Sequence, residues 1–212
     1  MRTRIKMCGF TRVADALFAA NAGVDAIGMI FYQGSPRAIG IEGAREISRA
    51  LPPFVSTVAL FVNESAGNIA SVVDAVRPSI LQFHGDENEN FCAQFGLPYL
   101  KAIRVGGEMT SGDLLKCEAA FHSAKALLLD TLSTAAFGGT GTLFDWTLIP
   151  VSMRERIVLS GGLTPENVEG AIVQLRPWAI DVASGIETAV KGIKDHSRIT
   201  QFIEAVKNAD AQ

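Results

Sequence analysis

Arg156-Ile157-Val158-Leu159-Ser160-Gly161-Gly162-Leu163-Thr164-Pro165-Glu166-Asn167, then a helical run, then Ala179-Ile180-Asp181-Val182-Ala183-Ser184-Gly185-Ile186-Glu187, is the stretch whose reading decides the fold. Twice in it a short apolar strand runs into a glycine-containing turn. The first turn leads into Thr164-Pro165-Glu166, a helix start with a hydroxyl N-cap, Pro at the first helical position and an acid in the first turn. The second, Ser184-Gly185-Ile186, can begin a short helix. Glycine lets backbone amides approach an anion, and a helix N-terminus aims unpaired N–H groups at it. Two such turns on successive parallel strands point to one phosphate held between Gly161, Gly162, Leu163 and Ser184, Gly185, Ile186. In (β/α)8 barrels that site is often built from the loops after strands 7 and 8. The alternative is a pair of ordinary strand-to-helix turns.

Upstream, the chain alternates strand and helix. Strands are expected at Arg4–Cys8, Ala26–Phe31, Ser56–Phe61, Ile80–Phe83, Tyr99–Ile103 and Lys125–Asp130. Helices are expected from about Thr11 to Gly23, over Glu42–Ala50, from Ser65 to before Pro78, and over Glu89–Phe95 and Ser111–Ala120. A Gly/Thr-rich loop, Thr131–Leu143, precedes a short helix near Asp145. Pro165–Leu175 and Asp195–Ala205 complete the helices. The strands are short and almost wholly apolar, as buried parallel strands are. Strict alternation implies a parallel sheet with right-handed crossovers. Eight such units make residues 1–212 a single-domain α/β (β/α)8 barrel. A doubly wound open sheet would carry its glycine-rich nucleotide turn after the first strand. Here that strand ends in Met7-Cys8-Gly9, without the fingerprint.

The chain has 212 residues, 48% hydrophobic and 19% charged, with a formal net charge of −3. That balance supports a large core and argues against nucleic acid or an anionic membrane as partner. An anionic small-molecule substrate must therefore meet local positive groups. Cys8, Cys92 and Cys117 are odd in number and unclustered, which fits a reducing, cytoplasmic setting. His84, His122 and His196 show no metal-ligand spacing. Arg2, Arg4 and Lys6 have no apolar core behind them, so the N-terminus does not read as a signal peptide. No apolar run approaches the ~18 residues of a membrane span.

Barrel chemistry sits at the C-terminal ends of the strands. Those ends read Lys6-Met7-Cys8-Gly9, Ser35-Pro36-Arg37, Gln82-Phe83-His84-Gly85, Lys101-Ala102-Ile103-Arg104 and Leu129-Asp130. After them come Gly138-Gly139-Thr140-Gly141, Phe144-Asp145-Trp146, Ser160-Gly161-Gly162-Leu163 and Ser184-Gly185-Ile186-Glu187. In this order the set resembles the phosphoribosylanthranilate isomerase family of tryptophan biosynthesis, over essentially the whole chain. Met7 stands where Ile is expected and Ser160 where Ala is commoner, both beside the chemical positions. The resemblance implies an Amadori rearrangement of N-(5-phosphoribosyl)anthranilate to 1-(o-carboxyphenylamino)-1-deoxyribulose 5-phosphate, an aldose–ketose isomerisation by general acid/base catalysis without a cofactor or metal. It further implies Cys8 as the base and Asp130 as the acid.

Those roles are physically reasonable. A thiolate is a competent base, but an ordinary thiol with pKa near ~8.5 is mostly protonated at neutral pH. Lys6 shares strand parity with Cys8, points to the same side, and would favour the thiolate. Asp130 must hold a proton at the start, which the apolar Leu127-Leu128-Leu129 before it favours. The competing reading for Cys8 is a small buried hydrophobe, and for Asp130 a turn carboxylate. Cys92 and Cys117 lie on helices and read as packing. Arg37, stiffened by Pro36, is the candidate for the substrate carboxylate, through two parallel hydrogen bonds. Arg104 is a second anion-facing candidate. His84 either hydrogen-bonds at the mouth or shapes the turn after strand 4. Asp181 shares parity with the strand 8 end and neighbours strand 1 in a closed barrel, so a Lys6–Asp181 pair is expected inside it. Gly138–Gly141 reads as a lid over the substrate or a plain long loop.

Three rivals are weighed. The histidine-pathway Amadori isomerase has an Asp where Cys8 stands. A ribulose-phosphate epimerase would need metal-binding His and Asp at strand ends. A non-catalytic phosphate-binding barrel would not need both Cys8 and Asp130. The chain is expected to act as a monomer or homodimer.

Overall fold

The computed structural model describes residues 2–131 and 144–212. The expected lid Gly138–Gly141, and all of the loop after Thr131 up to Leu143, lie outside the described residues. In chain order the elements are β1 Arg4–Cys8, α1 Val13–Ala22, β2 Ala26–Ile30, α2 Ile41–Ala50, β3 Ser56–Phe61, α3 Ala66–Val76, β4 Ile80–Phe83 and α4 Glu89–Ala93. They continue with β5 Tyr99–Val105, α5 Ser111–Ala120, β6 Ala126–Thr131, β7 Ile157–Leu159, α6 Val168–Leu175, β8 Ala179–Val182 and α7 His196–Asp210. The strands form one closed parallel barrel, β1 to β8 in sequence order, with β8 pairing back onto β1. The (β/α)8 reading therefore holds.

Period-2 alternation sorts the side chains. Leu100, Ala102, Ala126, Leu128, Val158 and Ala179 fill the lower barrel interior. One strand pleat further on, the same inward parity carries polar groups at the mouth, so Leu128 is followed inward by Asp130. The opposite parity packs the strands against the helices. There Phe31, Phe61, Phe83, Phe91, Phe95 and Tyr99 form a chain of stacked and edge-on rings around β2–β5.

Several boundaries differ from expectation for identifiable reasons. The helix expected to start at Pro165 starts at Val168 instead. The Asn167 side chain accepts from the Thr164 amide at 2.8 Å and donates to the Gly162 carbonyl at 2.9 Å. Thr164–Asn167 is thereby recruited into the glycine turn rather than into the helix. α1 begins past Thr11, whose hydroxyl donates to the Gly192 carbonyl at 2.7 Å. α7 runs five residues beyond Ala205, because Phe202, Ile203, Val206 and Ala209 continue its buried face and Asp210 accepts from the Thr3 amide. Between β6 and β7 the described helical segments are 3-10 turns, Trp146–Leu148 and Val151–Arg156.

Candidate active site

β1 delivers Cys8 to the barrel mouth beside Gly28 of β2, its register partner. A Cβ on Gly28 would sit 2.7 Å from the Cys8 sulfur and 3.1 Å from its Cα, so only glycine leaves room for the thiol. Gly28→Ala is expected to cost about 1–3 kcal/mol by overpacking. A urea midpoint and turnover equal to those of the parent would show that Cys8 has space to move.

Two residues before Cys8, the buried Lys6 ammonium bonds Asp181 of β8 at 3.0 Å, the pair expected from parity and barrel closure. Burial works against the Lys6 charge, but Asp181 and Cys8 together outweigh it and push Lys6 up. Cys8 itself is 3% exposed. Burial pushes its thiol up, and Asp181 adds to this, by more than Lys6 and Lys194 pull it down. Lys6 does favour the thiolate, as expected, but Asp181 opposes it in part and desolvation outweighs it.

Across the mouth, β6 presents Asp130, also buried. Its Oδ1 accepts from the Thr131 amide at 3.0 Å, and its Oδ2 meets His84 Nε2 at 3.1 Å. His84 Nδ1 lies 3.0 Å from the amide nitrogen of Gln82. That amide can only donate, so Nδ1 accepts and the Nε2 proton faces Asp130. The Gln82 carbonyl oxygen is buried with no partner among the described residues. Thus His84 touches the acid candidate directly, as well as ending β4.

The two glycine turns come together. A Cβ on Gly185 would collide with the Leu163 carbonyl, so the turns after β7 and β8 are in backbone contact. The amides of Gly162, Leu163, Ser184 and Gly185 donate to no other described residue. Ser184–Ile186 is one short 3-10 turn.

One pocket at the C-terminal end of the barrel gathers these parts. Cys8, Arg37, His84, Asp130, Gly161, Gly162, Leu163 and Ser184 line it, with Gln82, Ser160 and Asp181 among their neighbours. Three expected site residues fall outside the lining. Gly185 and Ile186 are buried behind it, and Arg104 turns to an ion pair with Asp86 on the rim.

Arg37 is at the wall but already engaged. Its Nε and Nη2 donate to the two oxygens of Glu187 at 2.7 and 2.8 Å. The other edge of the planar guanidinium, Nη1 and the second Nη2 hydrogen, meets no acceptor among the described residues and can take a further one. Burial opposes ionisation of Glu187, but Arg37, Lys194 and the Gly192 amide together hold it below the usual carboxylate range. Lys194, missed in the sequence, donates to the Cys8 carbonyl at 2.7 Å, the Ala183 carbonyl at 3.0 Å and Glu187 Oε1 at 3.2 Å. Its stretch, Lys191-Gly192-Ile193-Lys194, lies outside the quoted motifs and gives no sign of this inward turn. Gln82 and Glu187 stood inside quoted motifs without an assigned task.

A family model described as N-(5'phosphoribosyl)anthranilate (PRA) isomerase matches residues 5–205. The N-(5'-phosphoribosyl)anthranilate isomerase of Pseudomonas aeruginosa is 51% identical over 205 residues, covering 97% of this chain and 95% of that protein. The crystal structure of phosphoribosyl anthranilate isomerase from Thermotoga maritima matches with a TM-score of 0.86 at 41% identity, covering 97% of this chain and 99% of that one. A further phosphoribosyl anthranilate isomerase structure, in complex with reduced 1-(o-carboxyphenylamino)-1-deoxyribulose 5-phosphate, matches with a TM-score of 0.83 at 40% identity over the same shares.

Proposed function

The chain belongs to the N-(5'-phosphoribosyl)anthranilate isomerase family, and we propose that Cys8 and Asp130 are the general base and general acid of its reaction. That reaction is the Amadori rearrangement of N-(5-phosphoribosyl)anthranilate to 1-(o-carboxyphenylamino)-1-deoxyribulose 5-phosphate in tryptophan biosynthesis. Asp130 gives its proton to the ribose ring oxygen as the C1–O bond breaks, and the anthranilate nitrogen lone pair closes a C1=N iminium. The Cys8 thiolate then takes the C2 proton, and that electron pair shifts to make an enaminol. Ketonisation delivers a proton to C1 and releases the one on the 2-hydroxyl. Carbon C1 is reduced and C2 oxidised within one molecule, which makes the enzyme an intramolecular oxidoreductase and leaves no electrons for a cofactor to carry. Each proton transfer is worth ~10²–10⁴-fold.

One observation carries the reading. Cys8 and Asp130 line the same pocket, at the end of the barrel where the unbonded amides of both glycine turns lie. Those amides suit the substrate phosphate, and the free edge of Arg37 suits the anthranilate carboxylate. We place the enzyme in the cytoplasm, as a monomer or homodimer. In keeping with this, no helix among the described residues is long and apolar enough to cross a membrane, and its three thiols are free. Loss of phosphoribosylanthranilate fluorescence on adding the enzyme tests the activity. Persistent fluorescence, with the protein folded, would return the choice to the rival readings.

Arg37→Ala is expected to raise KM for phosphoribosylanthranilate, while an analogue lacking the carboxylate loses little further on the variant. Groups that touch are coupled, so independent, additive losses would break the proposed contact.

A further inference from the structure

Lys194 is a lysine with nowhere to go. Its side chain is fully buried, all three ammonium donors are used, and it sits 5.3 Å above the Phe10 ring. Two of its acceptors are main-chain carbonyls on neighbouring strand ends, Cys8 on β1 and Ala183 just past β8. The third, Glu187, carries Arg37. We propose that Lys194 is a positioning residue for Cys8: it clamps the β1–β8 seam behind the thiol and leaves a net positive charge there that favours the thiolate. This rests on the reading of Cys8 as the base.

The charges facing Cys8 bear this out. From β1 and β8 come Lys6 and Asp181, paired with each other, with Lys6 acting on the thiol more strongly than Asp181. From the loop after β2 comes Arg37, and from the loop after β8 come Glu187 and Lys194, two cations around one carboxylate. Lys191, half-exposed, approaches the same carboxylate at 3.9 Å. Behind Lys194, Asp15 of α1 accepts from its backbone amide and from His196. Across the pocket stand Asp130 and His84. Beside the thiol, Arg37, Lys194 and Lys191 thus stand against Glu187 and Asp15, one positive charge in excess, and Lys194 is the cation bonded to the Cys8 carbonyl. Burial lowers the Lys194 ammonium while Glu187 supports it, and Lys194 in turn pulls the Cys8 thiol down. A clamp alone would need no charge, since a neutral donor could bond both carbonyls.

The test is the pH dependence of Cys8 alkylation by iodoacetamide, read by peptide mapping, beside that of kcat/KM. The midpoint reports the charge around the thiol, and the high-pH plateau reports access to it. Lys194→Met keeps the stem against Phe10 and removes the cation. Lys194→Gln keeps a donor for the carbonyls and removes only the charge, so it serves also if Lys194→Met does not fold. Both are expected to move the midpoint up by about one unit, slowing alkylation ~10-fold at a fixed pH below it, with the plateau kept. Glu187→Gln removes the anion and should move it down. A structural role would shift neither midpoint, or shift all three variants alike, and either result overturns the proposal. Failure of the base reading looks different: Cys8→Ser would turn over normally, whatever Lys194 does to the thiol.

Discussion

Asp130→Asn should lower turnover by at least ~10²-fold while leaving substrate affinity close to that of the parent. The amide cannot supply the proton that opens the ribose ring, yet it fits the carboxylate's hydrogen bonds. Its oxygen can accept from the Thr131 amide as Oδ1 does now. Its nitrogen would donate to His84 Nε2, which obliges Nδ1 to carry the ring proton and Gln82 to turn its carbonyl toward it. The Gln82 oxygen has no partner among the described residues, so that rotation breaks no bond it now makes. The network survives with the proton removed, and the loss should appear in kcat rather than KM. Near-parental turnover would take Asp130 out of the chemistry and leave it as the carboxylate that orients His84.

Cys8→Ser is expected to be the other nearly inactive variant, down by ~10²–10⁴-fold and still folded. A hydroxyl occupies the space beside Gly28 but is far harder to deprotonate than a thiol. The same acidity argument fixes the sign of the pH dependence. A base works only when unprotonated, so kcat/KM should rise with pH through the Cys8 ionisation. Burial pushes that thiol up, so the limb should lie above the ordinary thiol range and activity should fall away as pH drops through it. A limb on the acid side of that range would mean that the positive cluster around Lys194 outweighs burial in the free enzyme.

The fold was legible because its signals are local and repeated. Each strand ends at a turn residue, and the two glycine turns after Leu159 and Val182 mark the barrel's last units. Lys6–Asp181 could be foreseen as well, since strand parity and closure of β8 on β1 fix it without side-chain detail. What stayed hidden depends on long-range packing. Thr164-Pro165 looks like a helix start until Asn167 reaches back to Gly162. Arg37 reads as free until Glu187, 150 positions away, takes one edge of it. Lys194 sits in a short polar connection and shows its role only when the loop folds under β1. The net balance at Cys8 stayed hidden for a related reason. A neighbouring cation is visible in sequence, but the depth of burial that opposes it is not.

The most direct test of the central claim, that Cys8 is the base at the barrel mouth, is iodoacetamide inactivation with peptide mapping, with and without product. Cys92 is fully buried and its thiol is pushed up to about 12, so it should stay unmodified. Cys117 is partly exposed on α5, away from the pocket, and its labelling should leave turnover unchanged. The expected result is activity lost in step with modification of Cys8, faster as pH rises, and slowed by product or by another ligand of the glycine turns. Inactivation that follows Cys117 or Cys92, or full activity with Cys8 alkylated, would contradict the account.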